Sequence, residues 1–77
     1  MILKNAIDSA TCDIISFDIN NNKITYNLNI KNEILYSKPI TTIDDIILAI
    51  KNSIRLVKNL PEYKNESCKL VSIINSL

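Results

Sequence analysis

The side chains that could do chemistry in this chain are few and lie apart from one another. Asp13 and Asp18 fall on opposite faces of one predicted strand, so they cannot act together as an acid and a base. Asp44 and Asp45 are adjacent at the start of a predicted helix, where the helix dipole favours acidic side chains. The serines and cysteines have no histidine to activate them, because the sequence contains none.

The 77-residue sequence also contains no glycine. It therefore lacks the glycine-rich phosphate loop, the nucleophile elbow and the dinucleotide-binding motif. The absence of histidine also removes the commonest zinc ligand. Cys12 and Cys68 are too few for a disulfide framework or a thiolate metal site. We expect two reduced, half-buried thiols, with one bridge as the alternative. The sequence predicts a protein that is not an enzyme and needs no metal or cofactor.

Composition predicts one globular domain that spans residues 1–77, with 47% hydrophobic and 22% charged residues. Nine basic and eight acidic side chains give a net charge of +1, which argues against nucleic acid as the partner. Ile, Asn, Lys and Tyr make up about half of the chain, a profile typical of an AT-rich genome. No uncharged segment is long enough to span a bilayer, so we expect a cytoplasmic protein without membrane contact.

Alternating apolar and polar residues predict two paired strands. Residues 24–30 alternate without a fault, and residues 13–19 place Ile15, Phe17 and Ile19 on one face. The loop of residues 20–23 is three asparagines and a lysine, and asparagine tolerates the left-handed backbone of a tight turn. This loop predicts a register that pairs Phe17 with Tyr26, Ile15 with Leu28, Asp18 with Thr25, and Ser16 with Asn27.

A third strand is expected over residues 34–37, after a turn at residues 31–33. Lys38 and Pro39 are expected to end it, because proline cannot donate a ladder hydrogen bond. The predicted sheet is an antiparallel meander from about Thr11 to Ser37, with residues 23–30 as the central strand.

The strongest helical pattern runs from Ile43 to Leu60. Thr41 or Thr42 can cap the start, and Pro61 stops the helix. Apolar residues recur at helical spacing and are expected to pack on the sheet: Ile43, Ile47, Ile50, Ile54 and Val57, widened by Ile46, Ala49, Leu56 and Leu60.

The two ends of the chain complete the predicted fold. Residues 2–10 have the spacing of a short helix. Residues 66–77 favour a helix capped by Asn65, although a strand is the alternative reading of the same residues. The expected fold class is α+β: a three-stranded antiparallel β-meander packed against a long helix, in the order α-β-β-β-α-α.

Seven residues are expected to form the partner-binding surface, because they lie outside the predicted core. One group occupies the polar face of the hairpin and the other a ridge on the long helix, next to Lys51 and Lys58. A sheet edge is a third free surface. The hairpin face and its edge are slightly favoured, unless residues 66–77 cover that face, in which case the ridge becomes the better candidate. The residues are Ile14, Asp18, Asn27, Asn29 and Leu35 on the hairpin side, and Leu48 and Arg55 on the helix.

The chain resembles three known families, two in the order of its elements and one in a single segment. Residues 24–60 are similar in spacing to the double-stranded-RNA-binding domain, although Thr42, Asp44 and Asp45 stand where that family has its lysine cluster. Residues 41–54 look like the strand-to-helix step of HicB-type antitoxins. The whole plan is similar to a small phage anti-CRISPR inhibitor with a three-stranded sheet flanked by helices. The last resemblance implies a protein that binds and blocks a larger complex.

The sequence therefore predicts a protein-binding module, in the narrower form a virus- or mobile-element-encoded inhibitor of a host defence complex. Its expected partner is a larger protein, with a homodimer as a further possibility. An antitoxin or immunity protein and a nucleic-acid-binding domain are the alternative functions.

Overall fold

A computed structural model describes residues 3–10 and 12–77 of the chain. Ile2, the first apolar residue of the predicted N-terminal helix, and Thr11, the expected start of the meander, lie outside the described residues. The observed order confirms the predicted α+β class: α1 (Leu3–Ser9), β1 (Ile15–Asn20), β2 (Lys23–Ile30), β3 (Glu33–Ile40), α2 (Ile43–Val57), a 3-10 turn (Pro61–Tyr63) and α3 (Lys64–Ser76).

The three strands form one antiparallel sheet in the order β1-β2-β3, with β2 in the centre as expected. All four predicted pairs between β1 and β2 are confirmed. The loop is shorter than predicted, because pairing continues to Asn20 and Lys23 and leaves a two-residue turn. Both turn residues, Asn21 and Asn22, have positive φ angles of 49° and 67°, as a type I′ hairpin turn requires. In a chain without glycine, asparagine supplies this conformation.

β3 is longer and less regular than predicted. It runs on to Ile40 and includes Pro39, which was expected to end it. Pro39 is tolerated because β3 is an edge strand, where a missing N–H can face away from the sheet. The register also shifts once, between Leu28 and Asn29, so β3 has one extra residue at Leu35. As a result Ile34, rather than Leu35, lies opposite Asn29.

The start of α2 is fixed by a reciprocal cap. Thr42 is the N-cap: its hydroxyl accepts a hydrogen bond from the backbone N–H of Asp45 at 3.3 Å. The Asp45 carboxylate accepts from the backbone N–H groups of Thr41 and Thr42 at 2.8 and 3.0 Å, and from the Thr41 hydroxyl at 2.6 Å. These hydrogen bonds, led by the one from the Thr41 side chain, lower the pKa of Asp45 to about 2.

Thr42→Ala is expected to lower the free energy of unfolding by about 1 kcal/mol, because it leaves a helix N–H without its acceptor. Urea unfolding measures this loss, and Thr42→Ser, which keeps the acceptor, is the matched control. The lowered pKa of Asp45 adds a pH dependence: its stabilisation is present above the ordinary value of 3.8 and is lost as the pH falls toward about 2. An unchanged urea midpoint in Thr42→Ala would show that the cap is not needed.

α2 packs on β2 and β3, and α1 and α3 pack against α2. Leu28 and Ile50 are fully buried, as predicted. The buried face of α2 is shifted from the predicted one: Ile43, Ile47 and Ile54 are half-buried, and Leu56 is exposed. The fully buried positions of α2 are Ile46, Ala49, Ile50, Ser53 and Val57.

Three further predictions, two of boundaries or caps and one of burial, were wrong. α2 ends at Val57 instead of Leu60, because a turn bond from Leu60 N–H to the Val57 carbonyl replaces the helical pattern. α3 is helical as favoured, but Tyr63 and not Asn65 stands at its N-cap, since the 3-10 turn leads directly into the helix. Ile19 faces the helix side of the sheet yet is 65% exposed, because the helices do not extend over its end of β1.

Candidate interaction surface

The outer face of the β1–β2 hairpin is the side that points away from α2, and it is the predicted polar face. Two side-chain hydrogen bonds link the strands there. The amide of Asn27 donates to the Asp18 carboxylate at 2.8 Å, and the amide of Asn29 donates to the Ser16 hydroxyl at 2.9 Å. Each bond runs diagonally between neighbouring strands. Asn27 is only 4% exposed, so it is a structural residue of the sheet and offers little surface to a partner. Asp18 remains exposed.

Ile14 was expected on this outer face and is instead part of the core, with 5% of its surface exposed. The alternation of β1 begins only at Ile15, because residues 12–15 form a turn closed by a bond from Ile15 N–H to the Cys12 carbonyl. A turn residue does not follow the period of two. The hairpin face therefore loses the apolar anchor that favoured it.

Leu35 and Leu48 are exposed, as predicted, at 52% and 48% of their surfaces. Arg55 is exposed as well. α3 does not cover the outer face of the hairpin, since it packs against α2. These three residues therefore stay available to a partner.

Two tyrosines fix how α2 sits on the sheet. The amide of Asn52 donates to the hydroxyl of Tyr36 on β3 at 3.0 Å. The next residue, Ser53, shares a 2.6 Å hydrogen bond with the hydroxyl of Tyr26 on β2. Successive helix residues thus bond to neighbouring strands, which sets the rotation of α2 about its axis.

This rotation places one exposed row of α2 beside the β3 edge. Leu48 and Leu56 lie one helical turn on either side of Asn52, and Arg55 adjoins Leu56. Because Asn52 contacts Tyr36, this row lies on the side of α2 nearest β3, the strand that carries the exposed Leu35. We call the set Leu35, Leu48, Arg55 and Leu56 the α2–β3 surface. Leu56 was assigned to the core from its spacing; its position eight residues after Leu48 was the signal that it joins the ridge.

Cations line the other side of this surface. Lys51 and Arg55 of α2 and Lys58, its C-cap residue, are all exposed and follow one another at helical spacing. Among the described residues, Lys31 and Glu62 form an ion pair at 3.2 Å, which involves none of these three cations. The α2–β3 surface therefore combines exposed leucines with positive charge.

The polar groups in the core are satisfied structural groups. Burial raises the pKa of the Tyr26 phenol to about 12, and the hydrogen bond with Ser53 partly offsets this rise. Ser53 also donates to the Ala49 carbonyl at 2.9 Å, so its hydroxyl is engaged twice. A fully buried serine without an adjacent base is poorly placed to act as a nucleophile.

A cavity of about 340 Å³ lies at the end of β2 and β3. Its size reaches that of a small ligand site, but Lys23 is the single titratable residue in its lining, which also includes Ile24, Pro39 and Ile40. Acid–base chemistry needs a second titratable group of complementary role. This cavity therefore offers shape without the chemistry of an active site.

Metal ligands are not grouped within residues 3–10 and 12–77: no three His, Cys, Asp or Glu side chains of this part of the chain lie together. Both cysteines are free: Cys12 is half-buried as predicted, whereas Cys68 is exposed on α3 rather than half-buried. No helix in the described part has the length and apolar character needed to cross a membrane.

Comparison with known proteins gives no match. No family model matches the chain. Neither a curated protein nor a solved structure matches it.

Proposed function

We propose that this chain is a non-enzymatic protein-binding module that contacts a larger protein through the α2–β3 surface. The observation that supports this most is the contact between Asn52 and Tyr36, which places the exposed row of Leu48 and Leu56 on the β3 side of α2. Arginine is enriched in protein interfaces, and the fully buried centre of an interface is more apolar than its rim. On the hairpin face, in contrast, the side-chain amides of Asn27 and Asn29 already bond within the sheet, so they are less available to a partner.

The narrower form of the proposal is an inhibitor encoded by a virus or mobile element, which acts on a host defence complex in the cytoplasm. It is supported by element order, an α-β-β-β-α-α plan similar to that of the anti-CRISPR inhibitor. Inhibition of a purified Cas9 nuclease by the purified chain is the direct measurement. If Cas9 cleaves at the same rate with excess chain present, this form is wrong while the binding module stands.

Leu48→Asp and Leu35→Asp are each expected to weaken partner capture about tenfold or more, because a carboxylate would be buried against the partner. Arg55→Glu is expected to act in the same direction through charge. Each variant should keep its melting temperature within a few degrees, since a change of under about 1 kcal/mol produces no larger shift. Affinity is measured against the partner isolated by the wild-type chain.

Val71→Asp is the matched control for this experiment. Val71 is 45% exposed on α3, so the same substitution changes a similar area away from the α2–β3 surface. Val71→Asp should bind like the wild type. Equal capture by Leu48→Asp, Leu35→Asp and Val71→Asp would show that the partner binds elsewhere.

Salt dependence separates this proposal from nucleic-acid binding by Lys51, Arg55 and Lys58. Neutralising three phosphates would give a slope of about −2.7 in log affinity against log salt. An interface centred on leucines is expected to change far less with salt. An antitoxin or immunity protein would also bind protein, and capture of a toxin by the wild-type chain would establish that form of the module.

A further inference from the structure

The two edges of the sheet differ in how well they are protected against another strand. β3 contains Pro39, the extra residue Leu35 and the half-buried Lys38, and these three features are the usual protection of an edge strand. β1 (Ile15–Asn20) has no proline, no lysine and no bulge. An unprotected edge strand presents unpaired N–H and C=O groups to a partner.

The pairing pattern identifies which groups of β1 are open. Asn29 N–H donates to the Ile14 carbonyl at 2.7 Å, so by alternation Ser16 and Asp18 direct their backbone groups toward β2. Phe17 and Ile19 therefore direct theirs away from the sheet. Within residues 3–10 and 12–77, no backbone group bonds to these two residues on that side.

The side chains at this edge are also uncovered. Ile19 is 65% exposed and Phe17 is half-buried, although both lie on the helix side of the sheet. Asp18 is exposed on the opposite side. Lys23 lies on the same face as Asp18 and, although both are described, the two do not form an ion pair. The edge therefore presents apolar side chains on one face and a negative charge on the other.

A second copy of the chain fits this edge poorly. An antiparallel pair that uses both open residues would join Phe17 to Ile19 of the copy and place the two Asp18 side chains directly opposite each other, which is unfavourable. If Phe17 were instead paired with Phe17 of the copy, Ile19 of the copy would lie opposite Ile15. The bridge between Cys12 and Ile15 already occupies that position.

We infer that the β1 edge accepts an antiparallel strand from another protein, which carries a lysine or arginine opposite Asp18 and apolar side chains opposite Phe17 and Ile19. Hydrogen bonds from both open residues hold the added strand, and the basic residue converts the repulsion between like charges into attraction. This edge is separate from the α2–β3 surface and does not depend on the function proposed for it.

A capped peptide, Thr-Val-Lys-Val-Thr, and its counterpart with Glu at the centre test this inference by NMR on the isotope-labelled full chain. The lysine peptide should shift the amide signals of Phe17 and Ile19 and slow their exchange with solvent. It should bind about 2- to 10-fold more tightly than the glutamate peptide. Asp18→Asn, which keeps an acceptor for Asn27, should remove this difference.

Ile19→Pro and Ser37→Pro form the matched pair of variants. Each residue belongs to a non-hydrogen-bonded pair of its ladder, so its N–H faces away from the sheet. A proline at either position therefore removes no hydrogen bond within the sheet. Ile19→Pro should abolish peptide binding, while Ser37→Pro should leave it unchanged, as should Leu48→Asp. If Ile19→Pro does not fold, the response to Asp18→Asn decides.

Three results would overturn the inference. The first is peptide-induced shifts at β3 or α2 instead of β1. The second is equal affinity for the lysine and glutamate peptides. The third is slowed exchange of the Phe17 and Ile19 amides in the concentrated wild-type chain alone, because this would identify a second copy as the occupant of the edge.

Discussion

Leu28→Asp and Ile50→Asp are each expected to unfold the domain. Both side chains have no exposed surface, one on the central strand and the other on the face of α2 that packs on the sheet. A carboxylate buried there without a partner costs about 3 to 5 kcal/mol. A domain of this size has a net stability of about 5 kcal/mol or less, so a single substitution removes most of it.

Thermal unfolding followed by circular dichroism measures this effect. Leu48→Asp is the matched control for Ile50→Asp, since it makes the same change two residues away on α2 at a position that is 48% exposed. It should melt cooperatively within a few degrees of the wild type. Cooperative melting of both core variants near the wild-type temperature would contradict the core described here.

The register of the first hairpin was predictable because local signals determine it. Strict alternation fixes which side chains share a face, and a short loop of asparagines leaves few ways to join the strands. The loop length was wrong by one pair, but the pairing of Phe17 with Tyr26 does not depend on it. α2 was predictable for the same reason, since its cap and its apolar spacing are both local.

The errors occurred where a distant contact overrides a local pattern. Ser53 is polar, so the apolar pattern does not predict it in the core, yet it is fully buried because Tyr26, 27 residues earlier, supplies its hydrogen-bond partner. Ile19 follows the apolar alternation but is exposed, because only the placement of the helices decides which end of a strand is covered. The bulge at Leu35 leaves no mark in the sequence pattern.

The candidate surface was predictable in part. The exposure of Leu35, Leu48 and Arg55 followed from the period of each element, and the structure bears it out. Which strand the exposed row of α2 lies beside did not follow, because it depends on the rotation of α2, which the bond between Asn52 and Tyr36 fixes. Asn27 and Asn29 were correctly placed on the outer face, but their hydrogen bonds across the hairpin were not foreseen.

Alkaline pH is expected to destabilise the protein through Tyr26. Burial raises the pKa of its phenol from 10.0 to about 12, while the unfolded chain keeps the ordinary value. The neutral phenol is the form that the core accepts, so its stabilisation is complete below pH 10.0. As the pH rises through about 12 the unfolded state loses its proton first, and about 2 to 3 kcal/mol of stability is lost across this window.

Tyr26→Phe separates this effect from the titration of the other side chains. The variant loses the 2.6 Å hydrogen bond to Ser53 and should be less stable at neutral pH by about 1 kcal/mol. Ser53 still donates to the Ala49 carbonyl, so the substitution leaves no buried donor unpaired. Urea unfolding at intervals between neutral pH and pH 12 should show the stabilities of the two proteins converging and then crossing, because only the wild type carries the buried phenol. Parallel curves over that range would mean that Tyr26 ionises as easily in the folded protein as in the unfolded chain, and that the core at Tyr26 and Ser53 is open to water.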